Sequence, residues 1–214
     1  MASGLVVLEG RWERARNISV RSLFDLLVDM QFGSSHKYHF ENFATGESLK
    51  EIIGSVCRNH SRKKYIYIGA HGNSNYIQGS VQHVSRTVLN NIFREKLGAG
   101  IKGIFFGACL FGNKKNAQFF FDMEAGVLRN VTWIAGYGKS VDWVESSILD
   151  ILFWKKIFEI KAANPKLRES EVIKNVCNYL NENAKGLVAD LEFQVFRRQP
   201  HHPDTPESLI KWGH

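Results

Sequence analysis

A thiol and an imidazole stand at the ends of two short apolar runs. Tyr65-Ile66-Tyr67-Ile68-Gly69-Ala70 leads into His71-Gly72-Asn73, and Ile104-Phe105-Phe106-Gly107-Ala108 leads into Cys109. The chemistry open to such a pair is nucleophilic attack on a carbonyl. The thiolate is the reactive form of cysteine, and a neighbouring imidazole can take its proton and later pass it to the leaving amine. A tetrahedral intermediate also needs donors for its oxyanion. Gly72 can bring its backbone N–H close because no Cβ intervenes, and the N–H of Cys109 is the natural second donor. Gly107-Ala108 before the cysteine and Gly112 after it leave room for a peptide alongside.

The two runs are rich in β-branched and aromatic residues without polar alternation, the pattern of strands buried on both faces. As parallel neighbours they would release His71 and Cys109 together at their carboxyl ends, where open α/β sheets place their sites. The rest of the chain supplies the frame. Residues 5–8 read as a first strand, 19–30 as a helix with Ser19 at its N-cap, and 38–43 as a half-buried strand. Thr45 with Ser48, or Glu47 reaching back, caps a helix running to about residue 56. A polar loop over 73–78 follows the His71 run, then a helix over 85–97 stopped by Gly98-Ala99-Gly100. Beyond Cys109 come a helix over 115–124, a strand over 132–136, helices over 142–162 and 169–183, and a last strand over 191–196. Such alternation predicts an α/β fold with a mainly parallel sheet covered on both faces. The expected domain is 1–196, with 197–214 a loose or surface-bound tail.

With 214 residues, 44% hydrophobic and 23% charged, the chain has the apolar content for one substantial core. Its apolar runs are too short to span a bilayer. The first eight residues lack a positive stretch and meet Glu9 too soon for a signal peptide. Three cysteines, odd and sparse, suit a reducing compartment, so a cytoplasmic location is expected. Cys57 and Cys177 lie on apolar helix faces and read as core residues. The net charge of +7 comes from scattered basic residues without a finger or basic-aromatic motif, and direct nucleic-acid binding is not expected. No G-x-x-x-x-G-K-[ST] run supports a nucleotide site. His36 and His39 flank Tyr38 and read as surface or core residues. His201, His202 and His214 have no cysteine or carboxylate at ligand spacing, so a metal site is not expected, nor is an organic cofactor.

The order of a strand, His-Gly, then a strand ending in Gly-Ala-Cys resembles the caspase-like cysteine peptidases of clan CD. These include caspases, metacaspases, gingipains, separase and the bacterial CHAT domains. The caspase signature has its histidine about 50 residues before a Gln-Ala-Cys run; here the interval is shorter and Gly107 replaces the glutamine, while Ala108-Cys109 is kept. The likeness is strongest to a stand-alone bacterial CHAT domain, through Trp133-Ile134-Ala135-Gly136-Tyr137, Val141-Asp142-Trp143 and Phe153-Trp154-Lys155-Lys156-Ile157-Phe158.

The resemblance implies a three-layer α/β/α sandwich and a cysteine endopeptidase working through an acyl-enzyme. His71 would be the general base, Cys109 the nucleophile, and Gly72 and Cys109 the oxyanion donors, in a dyad without metal. It also implies a protein or peptide substrate and control by a regulatory or sensor protein. Tyr137 and Asp142 fall where this family borders its substrate pocket. Asp142 could receive a Lys or Arg side chain there, or cap the following helix, which is the preferred reading. The arginine-lined pocket of caspases is not implied. The alternative function is a catalytically silent interaction or scaffold subunit with the same fold.

Overall fold

The elements follow in chain order as β1 (Gly4–Glu9), α1 (Arg21–Phe32), β2 (Tyr38–Asn42), α2 (Gly46–Asn59), β3 (Lys63–Gly69), β4 (Tyr76–Gln78), β5 (His83–Ser85), α3 (Arg86–Lys96), β6 (Gly103–Gly107), α4 (Lys114–Phe121), β7 (Trp133–Tyr137), α5 (Trp143–Ala163), α6 (Glu169–Asn183), α7 (Lys185–Asp190), β8 (Phe193–Arg198) and β9 (Pro206–Ser208). They are seen in a computed structural model that describes residues 4–13, 18–32, 38–59, 63–122, 129–199 and 205–210.

Seven strands form one sheet in the order β2-β1-β3-β6-β7-β8-β9. The pairs from β2 through β7 are parallel, whereas β8 runs antiparallel to β7 and β9 antiparallel to β8. Successive strand side chains point to opposite faces, and the core divides accordingly. Ile66, Ile68, Ile104, Phe106 and Ile134 join the apolar residues of α2, α3 and α4 on one face. Tyr65, Tyr67, Phe105, Trp133, Ala135 and Tyr137 join those of α1, α5, α6 and α7 on the other. The sandwich with a mainly parallel centre is the architecture expected.

Helix starts follow local chemistry. Thr45 Oγ1 accepts from the Ser48 N–H at 3.1 Å and Ser48 Oγ accepts from the Thr45 N–H at 2.9 Å, a reciprocal cap on α2. Ser85 caps α3 and Asn113 caps α4 through the third N–H beyond each. Ser19 accepts from the Arg21 N–H but gives its own proton to Glu9.

Three features differ from the sequence reading. The expected loop over 73–78 begins a two-stranded hairpin, β4–β5. The single turn and a half of α7 bridges α6 and β8. The sheet also crosses the boundary placed at residue 196. β8 continues to Arg198, β9 pairs with it through an Arg197–Glu207 contact of 2.6 Å, and Ile210 is buried. His36 and the tail histidines 201, 202 and 214 lie outside the described residues, as do 123 and 124 of the expected helix over 115–124. Residues 98–103 spell G-x-G-x-x-G, but they run from α3 into β6. That is the reverse of the strand-to-helix turn a dinucleotide site requires. Among the described residues, no helix is long and apolar enough to cross a membrane.

Candidate active site

Strand register sets the site. β3 and β6 are parallel neighbours with Gly69 opposite Gly107, so His71 and Cys109 each lie two residues beyond the last paired position, at the carboxyl edge of the sheet. Gly72 closes the gap between the two loops. A Cβ there would stand 3.1 Å from Ala108 Cβ and 3.3 Å from the Cys109 carbonyl oxygen. Among the described residues, neither the Gly72 nor the Cys109 N–H donates to a neighbour.

The His71 ring is held from one side. Its Nε2 lies 2.6 Å from the carbonyl oxygen of Trp12, and the Trp12 indole meets the imidazole edge to face at 5.3 Å. A carbonyl can only accept, so Nε2 carries the proton and the neutral ring keeps Nδ1 as its basic atom. Trp12 was invisible in the sequence reading because it acts here through its backbone, which carries no signature of residue type.

Cys109 is half-buried, and its sulfur accepts from the Val141 N–H at 3.5 Å. The next residue, Leu110, has φ of 64°, a left-handed conformation rare outside glycine and costing about 1–2 kcal/mol. Bonds on both sides hold it there: its N–H donates to the Lys139 carbonyl at 3.0 Å and its carbonyl accepts from the Asn113 amide at 2.7 Å. The chain thus turns sharply after the cysteine and presents the thiol at the strand end.

His71 and Cys109 both line one cavity of about 80 Å³, walled by Trp12, Tyr137, Val141 and Trp143 and closed by Tyr67 and Asp150. Asp150 projects from α5 and is 4% exposed. Its carboxylate accepts from Tyr67 at 2.7 Å and from Tyr137 at 2.5 Å, and Tyr137 also reaches the Ser146 carbonyl at 3.0 Å. Burial pushes the Asp150 carboxyl up to about 7, with the two tyrosine hydrogen bonds pulling the other way. Burial and the facing Asp150 likewise push both phenols well above their usual value. Gly107 leaves space for this cluster, since a Cβ there would meet the Tyr67 hydroxyl at 2.2 Å.

Tyr137 therefore lies in the cavity wall. Asp142 is not among the lining residues; its Oδ1 accepts from the Val144 and Glu145 N–H groups and caps α5. Asp150 was missed by the sequence reading; Ser146, Ser147 and Asp150 recur at helical spacing and are all buried, but α5 also carries exposed charges that mask the pattern. Among the described residues, no group of three or more His, Cys, Asp or Glu is placed to hold a metal ion.

No protein-family model matches the chain, and no curated protein matches it. Among solved structures it is similar to the secreted C11 cysteine protease "iotapain" from Bacteroides thetaiotaomicron. The TM-score is 0.53 at 12% identity, over 92% of this chain and 66% of that one. The chain thus spans somewhat under two-thirds of its neighbour's length, and what the two share is the fold, a caspase-like α/β/α sandwich.

Proposed function

We propose that the protein is a cysteine endopeptidase of caspase-like type, of the CHAT branch, with His71 and Cys109 as its catalytic dyad. The observation that carries this reading is the parallel β3–β6 register, which brings a thiol and an imidazole of fixed tautomer to one cavity. In the reaction, Nδ1 of His71 takes the Cys109 proton and the sulfur attacks the scissile carbonyl. The N–H groups of Gly72 and Cys109 receive the oxyanion. Collapse of the intermediate breaks the C–N bond, and the imidazolium gives its proton to the leaving amine. Water then attacks the thioester, passing a proton to His71, and the acid product leaves as the thiol re-forms. No step calls for a cofactor.

The side chain before the cut enters the cavity, beside Tyr137 and toward Asp150. Its charge favours a basic residue, because a cation there would hold Asp150 ionised against the cost of burial. Asp142 contributes by fixing the start of the helix that carries Asp150. A partner or sensor protein fits the same reading as regulator: the Val141 N–H covers the resting sulfur, and the segment carrying Val141 must give way for attack.

The test is alkylation by an iodoacetamide probe followed by peptide-library cleavage, with Cys109→Ala and His71→Ala as controls. Cys109 is expected to label faster than Cys57 and Cys177, whose thiols burial pushes above their ordinary value, and to slow without His71. If Cys109 labels no faster than the other two and no peptide is cut, the silent scaffold reading takes its place.

A further inference from the structure

Glu9 ends β1 and is 2% exposed, yet its charge takes no part in the chemistry above. A carboxylate persists in such a place only when its lone pairs are met. Four uncharged donors meet them here. Oε1 accepts from the Trp12 indole N–H at 2.6 Å and the Val20 N–H at 2.7 Å. Oε2 accepts from the Ser19 hydroxyl at 2.6 Å and the Asn42 amide at 3.4 Å. One side chain thus ties the segment after β1, the start of α1 and the end of β2 to a single point.

Trp12 is the donor that connects this point to the site. Its indole is pinned by Glu9, and its carbonyl accepts from His71 Nε2 at 2.6 Å. The backbone between them has little slack. The Gly10 N–H is bonded to the Gly69 carbonyl at 2.8 Å, and a Cβ on Gly10 would stand 2.1 Å from the Gln78 carbonyl oxygen. With Glu9 and Gly10 fixed and the indole anchored, the Trp12 carbonyl is held where the imidazole needs it.

We propose that Glu9 is a positioning residue for His71, acting through Trp12: its buried carboxylate fixes the carbonyl that selects the imidazole tautomer and aims Nδ1. The importance of that aim for turnover rests on the peptidase reading, but the placement of the ring can be measured without it. Two variants separate anchoring from bulk. Glu9→Gln keeps the shape but offers one accepting oxygen and sets an amide N–H against existing donors. Trp12→Phe keeps an aromatic ring and the carbonyl but deletes the indole N–H along with one ring of the indole, so Glu9→Gln, which keeps the volume, is its control.

The experiment records the ¹⁵N resonances of the His71 ring nitrogens and the rate of Cys109 alkylation at neutral pH. Neutral His71 is expected as the Nε2–H tautomer in the wild-type protein. Each variant is expected to mix the two tautomers and slow Cys109 alkylation at least about fivefold, within the roughly hundredfold that a 1 Å misplacement of a reacting group can cost. Ser85→Ala, which costs α3 its cap, should lower the melting temperature without moving either readout. A folded Trp12→Phe protein with His71 in one tautomer and Cys109 labelling at the wild-type rate overturns the proposal, whether or not Glu9→Gln folds. If wild-type Cys109 labels no faster than Cys57 while the tautomer still responds to Trp12→Phe, the peptidase reading fails and the positioning of the ring stands.

Discussion

The two faces of the sheet are built from different chemistry. The buried cluster on the α2–α3–α4 side consists wholly of Val, Leu, Ile, Phe and Ala. The cluster on the α1–α5–α6 side carries Tyr65, Tyr67, Trp133, Tyr137 and Trp154 among its buried members. Alternation along a single strand makes the split, as Ile66 and Ile68 of β3 face one way and Tyr65 and Tyr67 the other. A hydrocarbon core asks only for close packing, whereas a buried phenol asks for an acceptor. Tyr65 finds one in Glu169, at 2.8 Å, and Tyr67 and Tyr137 share Asp150. The aromatic face thus draws acids into the interior, and at the carboxyl edge one of them closes the cavity. A site grew on the face whose side chains needed polar partners.

That contrast can be broken by substitutions on either side. The largest expected effect is on the hydrocarbon face. Phe120 is 1% exposed and packs against Phe93, Phe106 and Phe111. Phe120→Ala should cost ~3–5 kcal/mol of stability in a denaturant titration, with kcat/KM of the folded protein within about twofold of wild type. A large loss of activity without loss of stability would erase the division of labour.

Next comes Asp150→Asn. Cleavage after basic residues should fall by about a hundredfold, as expected when a buried charged partner is lost, while stability moves the opposite way. The folded protein holds the Asp150 proton up to about 7, whereas the unfolded chain releases it near the ordinary carboxyl value of 3.8. Folding therefore takes up a proton between those values, and Asp150 withdraws stability as pH rises from about 4 to about 7 and no further beyond. Melting curves of the two proteins should agree near pH 4 and diverge toward pH 8, the variant being the more stable. Curves that stay parallel throughout would refute the assignment.

A smaller effect follows from Tyr67→Phe, which removes one donor from Asp150 and should cost about 1–2 kcal/mol. It should also move the midpoint of that pH dependence upward, because the lost hydrogen bond favours the charged carboxylate. The smallest is Ile68→Val on the opposite side of the same strand, about 1 kcal/mol, with no change in pH dependence.

Much of this was legible in the sequence, for reasons that differ by element. The β3 and β6 runs announce themselves because strands buried on both faces carry unbroken apolar composition. Their parallel pairing follows from the helix between them, so the juxtaposition of His71 and Cys109 could be expected. The hairpin β4–β5 could not, since three residues per strand are too few to display a period of two. β9 starts at a proline in a stretch dense with proline, tolerated there because it lies at the sheet edge. Asp142 reads correctly as a cap from its place before an apolar helix. Asp150, between Leu149 and Ile151, looks like an ordinary helix-surface charge until the tyrosines of two strands are known to point at it. Glu9 is hidden for the same reason: its donors come from residues 12, 19, 20 and 42, and no local pattern links them.

The edge-to-face contact of Trp12 with His71 also has an optical consequence. A protonated imidazole quenches indole emission where a neutral one does so weakly, and these rings lie 5.3 Å apart. Trp133 of β7, and Trp143 and Trp154 of α5, have no histidine ring against them among the described ring contacts. The fluorescence of Trp12 is therefore a gauge of the charge on its neighbour, readable in the resting protein without substrate or label.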